Sequence, residues 1–132
     1  MTSTLGDGPL GDPPQLSNGT VVPLSPGFIS GDFLFLSGQL AFENTGKISE
    51  GDIIEQTALC LANIEALLKS AGLSRESIVK STIWLTNADD FAGFNSAYSA
   101  FFGSHRPARS TVCAQLLIPG ARVEVEVIAQ RK

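Results

Sequence analysis

A chain of 132 residues, 43% of them hydrophobic, is long enough for one domain with a single core. Its formal net charge is −4, and its 9 lysines and arginines are spread along the chain. Nucleic-acid-binding domains usually carry clustered basic residues, so we expect no nucleic-acid partner. No apolar run approaches the length that crosses a bilayer, so we expect no membrane partner either.

Residues 1–19 are rich in Gly, Pro, Ser and Asp and lack both the basic start and the apolar stretch of a secretory signal. We therefore expect a flexible N-terminal tail at 1–19 and a single domain at 20–132. The apolar surroundings of Cys60 and Cys113 favour two reduced core thiols. Together these features indicate an intracellular protein of the cytoplasm, with the mitochondrion as the alternative.

The first half of the domain predicts two strands and then a helix. A short strand is expected in "VVPLSPGFIS", and a longer one in "DFLFLSGQLAF", which ends before the turn residues "NTG". From Asp52 to Ala71 the apolar residues recur every three or four positions, which predicts a helix. Gly72 follows as a typical helix end.

The second half predicts a strand, a helix and two further strands. Side chains alternate in "SIVKSTIWLT", and Asn87 then resembles the N-cap of a helix that ends at Gly103. "ARSTVCAQLLI" and "VEVEVIAQ" are strands separated by the short turn "PGAR", which predicts that they are antiparallel neighbours. Val123, Val125 and Val127 share one face of the last strand.

The resulting order, β–β–α–β–α–β–β, predicts an α+β domain with one mixed sheet and two helices on one face. Phe33, Phe35, Leu116 and the strand valines form more apolar sheet surface than two helices would cover. This surplus favours burial of the sheet against another copy of the chain.

Few residues offer catalytic chemistry. The one histidine, His105, and the two distant cysteines form no cluster with metal-ligand spacing, so we expect no metal site. Ser37 in "LSGQL" lacks both the strand-to-helix elbow and the histidine that activate a hydrolase serine. The adjacent Gly38 marks a strand end where a ligand could approach the main chain.

Arg109 stands two residues past the proline of "RPARSTV", at the start of a predicted strand. One interpretation is a cross-strand ion pair with Glu124 or Glu126. The other is a pocket in which Arg109 binds a substrate carboxylate through two parallel hydrogen bonds. A nearby glutamate would then position or deprotonate a water, and a reactive substrate would need no cofactor.

Four blocks of the sequence resemble the RidA/YjgF family of small trimeric imine deaminases, also called the endoribonuclease L-PSP family. They are "GDFLFLSGQL", residues 51–86, "DDFAGFNSAYSAFFGSHRPARSTV" and "VEVEVIA", and together they run from about Gly31 to Arg131. The resemblance implies a chorismate-mutase-like fold and a homotrimer with pockets between adjacent subunits.

The implied activity is hydrolysis of reactive enamines and imines, such as 2-aminoacrylate and its 2-iminopropionate tautomer, to a 2-keto acid and ammonia. No cofactor is implied. The family's carboxylate-binding arginine falls on Arg109, and the acidic residue that positions the attacking water falls on Glu124. Three further pocket positions fall on Ser37, Gly38 and Asn95.

The sequence also departs from the family pattern. A tyrosine that lines the pocket of many imine-hydrolysing members is Leu24 here, which makes that side more apolar, and Phe28 is expected to cover part of it. The frequent cysteine two residues after the arginine is Thr111. These changes leave two alternatives open: a pathway-specialised enzyme for a different imine, and a small-carboxylate-binding trimer without turnover. Ribonuclease activity, attributed to some members, is disfavoured by the acidic charge balance and the lone histidine.

Overall fold

A computed structural model describes residues 5–131 of the chain. Within this range the strands are Gly8–Leu10 (β1), Gly27–Ser30 (β2), Phe33–Leu36 (β3), Ile78–Leu85 (β4), Ala108–Cys113 (β5) and Val123–Gln130 (β6). The helices are Ile53–Ser70 (α1) and Phe91–Phe102 (α2). They form an α+β domain with one mixed sheet and two helices packed together on one face, which confirms the predicted fold class.

Helix α1 begins and ends where its local sequence dictates. Asp52 accepts a hydrogen bond from the backbone N–H of Glu55, and the Glu55 side chain accepts one in return from the backbone of Asp52. After Ala71 the chain turns at Gly72, whose φ of 74° suits a residue without a side chain.

The strand order in the sheet is β1-β2-β3-β6-β4-β5, and only the β4–β5 pair is parallel. The last two strands, β5 and β6, therefore run in opposite directions, as predicted, but β4 lies between them, so the prediction that they are neighbours is wrong. Helix α2 carries the chain back across the sheet, so β5 starts at the same end as β4 and runs in the same direction. Strand β6 then inserts between β3 and β4.

The sheet face opposite the helices carries exposed aromatic residues, as expected. The β6 valines and Leu116, which were predicted to extend this apolar surface, do not lie on it. Phe33 and Phe35 are 39% and 43% exposed. The three valines of β6 are instead buried on the helix side of the sheet. Leu116 is outside the sheet because β5 ends at Cys113.

The segment predicted as a tail contributes a strand to the sheet. β1 pairs antiparallel with β2, and Asp7 Oδ1 accepts a hydrogen bond from the backbone N–H of Gly31. The guanidinium of Arg131 donates to the carbonyls of Leu5 and Gly31. Residues 1–4 of the predicted tail lie outside the described residues, and the division at residue 19 stays a prediction.

The core lies between the helices and the sheet and is built from aliphatic residues with three rings of α2, Phe94, Tyr98 and Phe102. Cys60 is part of it, as predicted. Cys113 is exposed at the end of the edge strand β5, so its predicted core position is wrong. No helix formed by residues 5–131 is long and apolar enough to span a bilayer.

Candidate functional site

The strand register places Arg109 and Glu124 on opposite faces of the sheet. Arg109 pairs with Ser81 on β4, and Ser81 pairs with Val127; both partners are buried on the helix side. Glu124 pairs with Trp84, which belongs to the alternate row of side chains and faces away from the helices. β4 also separates the two strands, so the predicted cross-strand ion pair does not form.

Three rings of α2 surround the guanidinium of Arg109. Its Cζ atom lies 4.9 Å from the ring centroid of Tyr98, 5.5 Å from that of Phe94 and 5.7 Å from that of Phe91. Between residues 5 and 131, no side chain or carbonyl accepts a hydrogen bond from this half-buried guanidinium, and no carboxylate pairs with it. A cation in this setting is available to bind an anion.

Two further predicted site residues lie on the helix side with Arg109. Thr111 follows it on β5 and pairs with the buried Ile83, and its hydroxyl oxygen is buried without a hydrogen-bond partner in the described chain. Asn95 belongs to α2, three residues before Tyr98 and therefore on the same side of the helix. We call Arg109, Thr111 and Asn95, with the three rings, the arginine half-site.

The other face of the sheet holds a second cluster around Glu124. The backbone of Gln39 exchanges hydrogen bonds of 2.8 and 2.9 Å with Val125, which holds the segment after β3 beside the start of β6. A Cβ atom at Gly38 would overlap the carboxylate of Glu124, so a larger residue here would displace this carboxylate. The hydroxyl of Ser37 donates to the carbonyl of Ser25 at 2.6 Å.

Leu24 is placed near this second cluster because it is next to Ser25 in the chain, whereas Phe28 lies away from the cluster. Leu24 precedes Ser25, which is bonded to Ser37, and its side chain is 40% exposed. Phe28 pairs with Phe35 and so lies in the row of Ile128, roughly 13 Å along β6 from Glu124. We call the four clustered residues the glutamate half-site: Leu24, Ser37, Gly38 and Glu124.

The surroundings of Glu124 favour its protonated form. Partial burial raises the pKa of its carboxyl above the ordinary value, and the neighbouring carboxylate of Glu126 raises the pKa further. A carboxyl group held in this way can exchange a proton with a water or a substrate at a pH closer to neutral than an ordinary glutamate.

A separate open cleft of about 810 Å³ lies between the loop 42–51 and the turn 118–122. Gln56 lies on its wall, and none of the predicted site residues lines it. Elsewhere, no three His, Cys, Asp or Glu side chains of residues 5–131 gather as a group that could hold a metal ion.

Sequence reasoning missed the contacts that surround Arg109. It gave no role to the rings of α2 or to Ser81, whose hydroxyl hydrogen-bonds the Tyr98 hydroxyl at 2.6 Å. The spacing of Phe91, Phe94 and Tyr98 is the same for a helix that packs only on a core. The one usable signal was the strand–helix–strand order, which predicts that α2 packs over the β4–β5 pair.

Comparison with known proteins gives consistent matches over most of the chain. The model of the family described as "Endoribonuclease L-PSP" matches residues 16–131. "Putative reactive intermediate deaminase TdcF" of Escherichia coli is 36% identical over 121 residues, which cover 89% of this chain and 93% of TdcF. The crystal structure of E. coli TdcF with bound serine has a TM-score of 0.79 at 32% identity and covers 100% of this chain and 99% of that one.

A second solved structure gives the same result. The YjgF gene product of E. coli has a TM-score of 0.79 at 34% identity, with 86% of this chain and 91% of that chain covered.

Proposed function

The chain belongs to the endoribonuclease L-PSP family, which includes the YjgF and Rid proteins, and on this premise we propose that it hydrolyses reactive imines and enamines of small 2-amino acids. The products would be a 2-keto acid and ammonia. The observation that carries the proposal is the guanidinium of Arg109, which is half-buried and has no acceptor among the described residues.

Arg109 would bind the substrate carboxylate. A guanidinium presents parallel N–H donors that match the two oxygens of a carboxylate, and such charge-assisted bonds are short and strong. TdcF, a relative of this chain, has been solved with serine, an amino acid that carries this group. Asn95 and Thr111, on the same side of the sheet, would complete the binding surface for the substrate.

Glu124 would position and activate the water. Its carboxylate takes a proton from the water as the oxygen attacks the imine carbon, which gives a tetrahedral carbinolamine. The proton then passes to the nitrogen, and the carboxylate next moves the remaining hydroxyl proton of the carbinolamine to the leaving nitrogen as the C–N bond breaks, which gives the keto acid and ammonia. The raised pKa of Glu124 supports both the acceptance and the return of the proton. Ser37 and Gly38 would form the adjoining wall.

Such a site requires two copies of the chain. Within one chain the arginine and glutamate half-sites face opposite sides of one sheet, so a substrate that contacts both must lie between neighbouring copies. The exposed Phe33 and Phe35 on the open face support burial against another copy. We therefore propose a homotrimer in which each pocket lies between adjacent subunits, as the family resemblance implies.

Leu24 favours a second candidate function. It offers an exposed apolar side chain where a hydroxyl would otherwise donate a hydrogen bond, and this suits a bulkier imine acid in a dedicated pathway. The same change fits a protein that binds a 2-keto acid and does not catalyse turnover. Phe28 would contribute only from a neighbouring copy, because it is distant from Glu124 within its own chain.

The test generates 2-aminoacrylate in place with a pyridoxal-phosphate-dependent serine dehydratase and follows keto acid release. The wild-type protein is expected to speed release. Arg109→Ala should lower kcat/KM about a hundredfold or more, because a charged hydrogen-bonded contact is lost. Arg106→Ala removes the same charge three residues away and should leave the rate unchanged, because among residues 5–131 the Arg106 side chain bonds only the Gly103 carbonyl.

Glu124→Gln separates the two candidate functions. It should reduce turnover while leaving pyruvate binding intact, because the amide keeps the shape and loses the proton acceptor. A wild-type protein that does not speed keto acid release would contradict the deaminase proposal. Pyruvate binding without ammonia release from any imine offered would establish the non-catalytic alternative.

A further inference from the structure

The guanidinium of Arg109 is held by aromatic rings rather than by an acid. Phe91, Phe94 and Tyr98 follow one another at spacings of three and four residues along α2 and so present one side of the helix to the arginine. Tyr98 is the nearest of them, with its ring centroid 4.9 Å from Cζ. Cation–ring contacts of this length attract the arginine without occupying its hydrogen-bond donors.

This arrangement differs in effect from an ion pair. A protein carboxylate would take up the parallel N–H donors that a ligand carboxylate needs. The rings restrict the guanidinium and leave those donors without an acceptor in residues 5–131. The cation is thus held in place before any ligand arrives, which lowers the entropy cost of binding.

Tyr98 is also the ring of the three that is fixed by a hydrogen bond. Its hydroxyl lies 2.6 Å from the Ser81 hydroxyl, and Ser81 is fully buried. Ser81 is the cross-strand partner of Arg109. Strand β4, which lies beside Arg109, therefore fixes the Tyr98 ring through Ser81, and this ring contacts the guanidinium of Arg109. Burial raises the pKa of the Tyr98 phenol, which keeps the ring neutral.

We propose that Tyr98, fixed by Ser81, is a positioning residue that orients the guanidinium of Arg109 to receive a ligand carboxylate. The inference rests on the proposed function, since it assigns Arg109 the carboxylate. It predicts that loss of the ring weakens the binding of carboxylate ligands specifically. It also predicts that the arginine becomes more mobile in the protein without ligand.

Two substitutions of Tyr98 separate the contribution of its ring from that of its hydroxyl, and a substitution of Phe102 is the control. Tyr98→Leu removes the ring, whereas Tyr98→Phe keeps the ring and removes only its bond to Ser81. Phe102→Leu removes a neighbouring ring that is 4.6 Å from Tyr98 on the same helix and equally part of the core. Phe102 has no contact with the guanidinium of Arg109. Phe102→Leu therefore reproduces the loss of core packing in Tyr98→Leu but should not change carboxylate binding.

The first measurement is the affinity for pyruvate and for its neutral methyl ester, followed by NMR titration. Tyr98→Leu should weaken pyruvate binding about tenfold and leave the ester unchanged, and Tyr98→Phe should weaken it about threefold. Turnover should show the same change in KM with kcat largely kept. Equal loss for pyruvate and the ester, or the same loss in Phe102→Leu, would show a purely structural role and overturn the inference.

The second measurement needs no ligand and no activity. The Nε–H signal of Arg109, identified by its absence in Arg109→Lys, should be sharp in the wild type and broadened in Tyr98→Leu. An unchanged signal in a folded Tyr98→Leu protein would contradict the inference. If Tyr98→Leu does not fold, Tyr98→Phe decides by the same comparison. A wild-type protein that binds no pyruvate would refute the proposed function, and the Arg109 signal would still decide whether Tyr98 orients the arginine.

Discussion

Glu124 and Glu126 lie on the same face of β6, two residues apart, and the charge of Glu126 opposes the ionisation of Glu124. Burial is the larger cause of the raised pKa of Glu124, and the charge of Glu126 is the smaller one. The two causes can be separated, because Glu126 can be neutralised without a change in the burial of Glu124.

Glu126→Gln should lower the pKa of Glu124 while leaving it above that of an ordinary glutamate. Since the proposed reaction needs the carboxylate form, the acidic side of the kcat/KM profile should move to lower pH. The measurement is keto acid release across the pH range from 4 to 9, read with the exposed Glu76→Gln as the control. An unmoved profile would show that Glu124 does not limit the rate.

The same ionisation affects stability with a defined sign. The folded chain holds the Glu124 proton more tightly than the unfolded chain, so the group stabilises the fold below its unfolded pKa. This contribution is lost as the pH rises through the folded pKa. Glu124→Gln should therefore flatten the fall in stability over this interval, and urea denaturation at a series of pH values measures it.

Among the helices and loops, the buried Gln56 of α1 joins two loops to the start of β6. Its amide nitrogen donates to the carbonyls of Ser49 and Gly120 at 2.8 and 2.9 Å, and its oxygen accepts from the backbone N–H of Arg122 at 2.8 Å. These bonds fix the turn that leads into Glu124, although the sequence pattern gave Gln56 only a place on a helix.

Gln56→Leu should lower the free energy of unfolding by about 3 kcal/mol, because three backbone groups lose their partners. Thr57→Val is the matched control in the next position. The hydroxyl of Thr57 is buried without a partner in the described chain, so its removal should leave stability equal or raise it by up to about 1 kcal/mol. Urea denaturation compares the variants; equal losses in both would mean that the Gln56 bonds contribute little.

The sequence predicts a feature of a helix or strand well when the residues that determine this feature are close together in the chain. Asp52, Gly72 and Gly103 mark helix ends through their own backbone chemistry, and the structure confirms them. The pairing of β6 is not local. Its hydrogen bonds go to β3 and β4, and the short turn at 119–120 gives no sign of this choice.

For the molecule as a whole, the family resemblance named the candidate site residues but did not indicate on which face of the sheet each one lies. The alternation of residues along one strand shows which of its side chains share a face of the sheet. It does not show how these faces correspond to the faces of another strand. The positions of Arg109 and Glu124 follow from the register of three strands and from the helix that crosses between two of them. Only the assembled sheet shows that the two residues point away from each other.

Because the two half-sites lie on opposite faces of the sheet, the proposed pockets between copies predict that two different inactive variants restore each other's activity. In the closed ring that we propose, each chain would give its arginine to one neighbour and its glutamate to the other. Arg109→Ala and Glu124→Gln, each strongly reduced in activity alone, should regain activity when they are unfolded and refolded together. With equal mixing, about one pocket in four receives both intact residues, and keto acid release should return to about a quarter of the wild-type rate. A mixture as inactive as its components would mean that each pocket draws both residues from one chain.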